Sequence, residues 1–520
     1  MLQETKTPLS AEDDCPFGYF DRTTQAAALN EAQAEFLRKY PSYAQTQVLD
    51  DLRMREFARL DRQGHVYLDY TGGGLYAERQ LAQHMQMLQE GVFGNPHSHN
   101  PTSLAMTELV EATRAYVLSY FNADLAEYVA IFTANASGAL KLVAESYPFE
   151  AGSTYVLTAD NHNSVNGVRE FARAHKAKVV YLPATRPEMR LDEATVQAAL
   201  EDVDPQKPNL FAYPAQSNYT GVQHGLAWIE KAQALGWDVF LDAAAFAPTN
   251  RLDLSQVHPD FVSLSFYKIF GYPTGIGCLL ARRTALAKLH RPWFAGGTVA
   301  IASVQGDGHF LAEGEAAFED GTVNYLMIPA VEIGLRFIEE IGIDTIHQRV
   351  MCLTEWLLQA LTSLRHSSGQ QLARIYGPLT ADQRGGTITM NFVDANGEVF
   401  DVGVSKNWLK NVLNISLRTG CFCNPAQVRS PRCSPRGRWT ASSASGEPMP
   451  FWELRSCFLE QYDIDPSSIR ISVGLASTFE DVFRFVHFAQ ALLNRSADEI
   501  GPASHAPSGL QNGARIAPEV

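Results

Sequence analysis

A lysine at position 268 closes the apolar run 261–266. Gly271, Pro273, Gly275 and Gly277 follow it, and then a second apolar run, 278–281. This pattern predicts strand, tight turn, strand, with Lys268 where the first strand ends and the chain reverses. Its flanks are nearly free of other charges. Apolar surroundings favour the neutral amine, which is a nucleophile toward carbonyl compounds. From this stretch alone, a lysine snorkelling out of a strand end fits equally well. Four more polar residues, Ser137, His162, Asn218 and Asp242, also fall at or just past predicted strand ends. Ser137 lies in the small-residue turn Thr133-Ala134-Asn135-Ala136-Ser137-Gly138 before a helix. Such a turn either offers free N–H groups to an anion or is an ordinary N-cap. Further along, Cys421 and Cys423 place two thiols in one loop, and Arg470 interrupts an apolar strand between Ile469 and Ile471.

The elements that carry these residues alternate regularly. Strands are predicted at 128–132, 154–158, 178–182, 209–213 and 237–241. Helices are predicted at 139–146, 165–176, 192–200 and 225–234. The strands are nearly continuous apolar runs, the mark of a mostly parallel sheet covered on both faces. Ligands gather at the carboxyl ends of such strands. One shared pocket therefore accounts for all five polar residues more simply than five coincidences. Upstream, residues 1–25 read as loosely ordered and 26–40 as a helix. A short strand, 65–70, runs into Gly72-Gly73-Gly74, and helices follow at 78–89 and 103–121, separated by the Gly94-Asn95-Pro96-His97-Ser98 loop. After 327 the pattern changes to a long amphipathic helix, 328–341, and then an α+β arrangement to about 494. The expected organisation is an N-terminal segment 1–63, a large α/β domain 64–327 and a smaller α+β domain 328–494. The latter carries a flexible Ser/Arg/Pro/Gly-rich insertion at 429–450, and a disordered tail follows at 495–520.

The bulk numbers narrow the class. The chain has 520 residues, 46% hydrophobic and 19% charged, as in a globular enzyme with a large core. A net charge of -15 argues against nucleic acid as a partner. No apolar run is long enough to span a membrane. The polar start resembles neither a signal nor a transit peptide. Seven cysteines, an odd number, read as reduced thiols in the cytoplasm.

Taken together, several motifs resemble the class V, fold-type I enzymes that use pyridoxal 5'-phosphate. Among these, the cysteine-desulfurase-like amino-terminal domain of the molybdenum cofactor sulfurases is most similar. The motifs are Gly94-Asn-Pro-His-Ser98, Tyr213-Pro-Ala-Gln-Ser-Asn218, Ser265-Phe-Tyr-Lys-Ile-Phe-Gly-Tyr-Pro-Thr-Gly275, Phe318-Glu-Asp-Gly-Thr322 and Arg418-Thr-Gly-Cys-Phe-Cys423. The resemblance spans roughly residues 64–490 and implies a role for each residue. Lys268 would carry the cofactor covalently and shuttle the Cα proton. Asp242 would face the pyridine nitrogen and keep it protonated. His162 would stack on the ring and act in acid–base steps near its ordinary pKa. Asn218 would bond the 3'-oxygen. Ala136, Ser137 and Ser265 would hold the phosphate, which Thr322 of a neighbouring subunit would complete, implying a homodimer. Arg470 would clamp the α-carboxylate of an amino-acid substrate, expected to be L-cysteine; a structural ion pair is the other reading of Arg470. Cys423 would take the substrate's sulfur as a persulfide, with Arg418 nearby to favour the thiolate, and pass it to a protein or cofactor acceptor.

The chain departs from the pattern at several points. Position 245 is Ala where iron–sulfur-type desulfurases carry Gln, and position 267 is Tyr where they carry a phosphate-binding His. The large sulfurases continue into a carboxy-terminal module that 520 residues leave no room for, so transfer to a molybdenum cofactor does not follow from the resemblance. Three alternatives stay open. Cys421 is a rival to Cys423. Cys421, Cys423, Cys433 and Cys457 are a weak zinc set of irregular spacing. A C–S lyase or other amino-acid-modifying reaction could run on the same scaffold.

Overall fold

The computed structural model describes residues 22–96, 98–402, 414–424 and 467–500. The 429–450 insertion, His97, Cys433, Cys457, the first 21 residues and the tail beyond 500 lie outside the described residues. A seven-stranded sheet forms the centre. In spatial order its strands are Tyr128–Thr133, Gly277–Arg282, Phe261–Ser265, Trp237–Asp242, Asn209–Pro214, Thr154–Thr158 and Lys178–Leu182. Gly277–Arg282 runs antiparallel to both of its neighbours, and the remaining pairings are parallel.

Successive side chains of a strand point to opposite faces, and here each face has its own core. Trp237, Val239 and Leu241 enter one core, with Met106, Val110 and Val117 of the helix Pro101–Tyr120. Phe240 enters the other, with Leu140 and Val143 of Ala136–Ser146 and Val165 and Val168 of Asn163–Ala174. The expected doubly covered, mostly parallel sheet is what forms.

A second sheet is antiparallel, in the order Ala373–Tyr376, Thr387–Phe392, Ser468–Ser472, Arg418–Gly420. Arg470 lies within its third strand, and its chain neighbours Ile469 and Ile471 are buried in the core. The helices Ile343–Ser363 and Phe479–Gln490 flank this sheet. The N-terminal helices pack against them. The Phe36 ring stacks on Phe479 at 4.5 Å, and Arg349 donates to both Asp50 oxygens at 2.8 Å. Helix begins at Arg22, earlier than the sequence suggests, and a short helix Ala497–Ile500 occupies the start of the expected tail. Among the described residues no helix is long and apolar enough to cross a membrane.

The glycine run explains how the two sheets meet. Val66–Tyr67 pairs with Ile415–Ser416, and Asp69 bridges to Ser472. The chain then crosses to the lysine turn, where Gly74 N–H donates to the Tyr267 carbonyl at 2.9 Å. A Cβ on Gly74 would sit 2.9 Å from the Lys268 carbonyl oxygen and 3.0 Å from the Gly271 nitrogen. Both are backbone atoms that cannot swing aside. Gly74→Ala is expected to cost about 1–3 kcal/mol of stability, read as a lowered thermal midpoint; an unchanged midpoint would mean the crossing is looser than this packing implies.

Candidate functional site

Lys268 sits in one turn of helix, Phe266–Phe270, instead of the tight turn expected after the strand Phe261–Ser265. Phe266, Ile269 and Phe270 bury the rest of that turn. It ends at Gly271, φ +79°, where a Cβ would lie 2.3 Å from the Tyr76 nitrogen, so only glycine fits. The lysine thus projects from a short, packed helix into a cavity of about 140 Å³. The same cavity is lined by Ser137, His162, Asn218 and Asp242, the other four residues expected to meet there. Among the described residues no hydrogen bond reaches Lys268 Nζ. The amine is densely surrounded yet keeps part of its surface open to the cavity. Burial lowers its pKa, and the Arg470 and Arg418 charges add to that against the opposing pull of Asp242.

Asp242 ends the strand Trp237–Asp242. Ser263 Oγ (3.0 Å) and Ala244 N–H (3.1 Å) both donate to its Oδ1, fixing the carboxylate plane while Oδ2 has no partner among the described residues. His162 caps the helix Asn163–Ala174: its Nδ1 accepts from Ser164 N–H at 3.2 Å, and the Ser164 hydroxyl lies 3.0 Å away. The neutral ring therefore carries its proton on Nε2. Burial first, then the Lys268 charge, depress its pKa to about 4. In the ligand-free protein His162 is therefore a neutral ring that caps its helix, with a pKa below the ordinary value expected for it. Its depressed pKa also has a sign for stability. Below pH 6.5 the unfolded chain takes a proton that the folded chain refuses until about pH 4. Stability of the ligand-free protein is expected to fall as pH drops through that window, and His162→Gln to flatten the slope of the denaturant midpoint against pH.

The turn before Ala136–Ser146 gathers small polar groups at a helix N-terminus on the cavity wall. Asn135 caps the helix, its Oδ1 accepting from Gly138 N–H at 3.0 Å. Ala136 N–H donates to Ser265 Oγ at 3.0 Å, and Ser137 Oγ contacts Ser164 Oγ at 2.5 Å. Tyr267, which stands in place of the expected His, lines the same cavity as Ser265. These residues fit pyridoxal phosphate: an amine open to the cavity, a carboxylate with a spare oxygen, a flat neutral ring, and N–H and hydroxyl groups at a helix N-terminus.

The cysteine loop docks directly on this wall. Asn218 Nδ2 donates to the Phe422 carbonyl at 2.8 Å, and Asn163 N–H to the Cys423 carbonyl at 2.7 Å. Asn424 Nδ2 donates to Asn218 Oδ1 (2.8 Å) and to the Asp160 carbonyl (2.6 Å). Phe422 is buried with Met189 and Tyr219, and its ring lies 4.8 Å from the Arg470 guanidinium. Phe422 and Cys423 both adopt left-handed backbone, φ +56° and +51°, a strained pair that these contacts hold in place. Burial raises the Cys421 thiol, disfavouring its thiolate.

Arg470 and Arg418 do not line the cavity. Both hold Asp69, which the sequence reading passed over. In this structure Arg470 is ion-paired with Asp69 and lies close enough to weigh on Lys268 and His162. Thr322 is exposed and lines a separate cavity of about 320 Å³ behind the Thr133–Gly138 turn, with Asn95 Nδ2 at 3.4 Å. Among the described residues no cluster suits a metal ion. Asn424 and Asn163 were missed because backbone docking of a loop leaves no periodic signal. Asp69 could have been found as an acid at a strand end before a glycine run.

A profile of the class V aminotransferase family matches residues 66–485. The chain is 36% identical over 490 residues to molybdenum cofactor sulfurase of Homo sapiens, covering 89% of this chain and 53% of that protein. It is 34% identical over 490 residues to the Arabidopsis thaliana sulfurase, covering 85% and 57%. The chain thus spans slightly over half the length of these relatives. Among solved structures it resembles an apo cysteine desulfurase from Thermococcus onnurineus NA1, with TM-score 0.68, 22% identity and coverage of 85% of this chain and 98% of that one. The Escherichia coli cysteine desulfurase CsdA gives TM-score 0.66 and 21% identity over 86% and 99%.

Proposed function

The chain belongs to the class V aminotransferase family, and from that premise we propose that it is a pyridoxal 5'-phosphate-dependent cysteine desulfurase. It converts L-cysteine to L-alanine and carries the sulfur on Cys423. Bound pyridoxal phosphate supplies an electron sink for the carbon skeleton of an amino acid. Lys268 holds the cofactor and moves the Cα proton. Asp242 keeps a proton on the ring nitrogen through the oxygen left spare by Ser263 and Ala244. His162 covers a ring face, and Asn218 offers its remaining Nδ2 hydrogen to the 3'-oxygen. Ala136, Ser137 and Ser265 receive the phosphate, and Arg470 the substrate carboxylate. Cys423 Sγ attacks the substrate sulfur. An S–S bond forms, the Cβ–S bond breaks with its electron pair left on the carbon side, and protonation there gives alanine.

The observation that carries this reading is that Asn218 belongs both to the wall containing Lys268, Asp242 and His162 and to the docking of the cysteine loop. A homodimer completes the phosphate site through Thr322. Its exposure supports this, as do the exposed Trp293, Phe294, Ile301 and Phe310 in the stretch before it. A reducing, cytoplasmic setting suits the free thiols of Cys421 and Cys423. The sulfur leaves to a protein or cofactor acceptor. The test is to load the protein with pyridoxal phosphate, add L-cysteine and a reductant, and measure alanine and sulfide. Equal amounts of both are expected; absence of alanine sinks the reading.

A further inference from the structure

Arg418 and Arg470 are directly opposite each other on antiparallel strands. Like charges in that register repel, with Arg418 exposed but Arg470 only 3% exposed. Asp69 resolves the conflict. Its Oδ2 accepts from Arg418 Nε at 3.1 Å and Nη2 at 2.8 Å, while Oδ1 accepts from Arg470 Nη2 at 3.1 Å. Arg470 Nη1 is spent on the Asn218 carbonyl at 3.0 Å. Its Nε is buried and has no hydrogen-bond partner among the described residues. One carboxylate between two guanidiniums leaves a net single positive charge and an unpaired buried donor, the complement of one further carboxylate. The space around Asp69 is tight: a Cβ on Gly72 would lie 2.5 Å from its Oδ2.

We propose that Asp69 is a positioning residue that holds the two arginines together as a clamp for the α-carboxylate of the amino-acid substrate. This rests on the amino-acid-binding part of the proposed function. Without the Asp69 charge the arginines separate, and the buried guanidinium loses the carboxylate it pairs with among the described residues. Substrates with a carboxylate then bind less well, whereas amines without one are untouched.

The experiment uses the pyridoxal phosphate-loaded protein and reads the change in visible absorption on titration with L-alanine or with L-alaninol, which has a hydroxymethyl group in place of the carboxylate. Wild type is expected to prefer L-alanine by about ten- to a hundredfold, the worth of a charge-assisted hydrogen bond. Asp69→Asn is expected to lose most of that preference through weaker L-alanine binding alone, and Asp69→Glu to keep it. An Asp69→Asn protein that binds L-alanine as wild type does, or more tightly, overturns the proposal; tighter binding would make Asp69 a competitor for the clamp. If Asp69→Asn does not take up cofactor, Asp69→Glu decides, and an equal loss for both ligands overturns it. Sulfide is not part of the readout, so failure of desulfuration leaves this comparison standing.

Discussion

Lys268→Ala is expected to lower alanine formation from L-cysteine by about a thousandfold or more and to remove the absorption change that amino acids cause. The size follows from two roles on one atom. In the proposed function the amine both holds the cofactor covalently and carries the Cα proton, and proton transfer alone contributes about 10²–10⁴-fold. Burial and the neighbouring arginines lower its pKa, the direction that favours the free base both roles need. Lys268→Arg is expected to be as damaging, because a guanidinium stays charged and cannot act as that base. A variant retaining activity within tenfold would remove the central claim about this site.

Cys423→Ala is expected to reduce both sulfide and alanine by roughly a hundredfold or more, since a covalent nucleophile has no substitute. The absorption response to L-alanine is expected to survive, because it depends on Lys268 and not on the thiol. Cys421→Ala is the control and should keep most of the turnover: burial raises that thiol and leaves little thiolate. Equal sulfide from wild type and Cys423→Ala would instead favour a C–S lyase in which the docked cysteine loop has no part in chemistry.

Much of this site could be read before the fold was known, for a physical reason. The parallel strands are buried on both faces, so they appear as unbroken apolar runs, and a polar residue at a run's end stands out. Ser137, His162, Asn218, Asp242 and Lys268 were each visible in that way, and all line one cavity. What the pattern could not carry was electrostatics and docking. The pKa of His162 depends on its closeness to Lys268, a residue 106 positions away (268 minus 162). The state of Arg470 depends on Asp69, which reaches it only because a short strand pairs across to the second sheet. The loop at 421–424 is held by asparagine side chains and backbone groups, which follow no period.

The separation in sequence between Asp69 and its arginines has a consequence for a chain emerging from the ribosome. Asp69 is made 349 residues before Arg418 and 401 before Arg470. Synthesis proceeds from the amino end, and domains generally fold as they appear. Every residue of the cofactor wall, through Lys268, is therefore made before either the clamp or the thiol exists. Under the proposed function, the residues that would hold the cofactor come earlier in the chain than those that would grip a substrate or take up its sulfur.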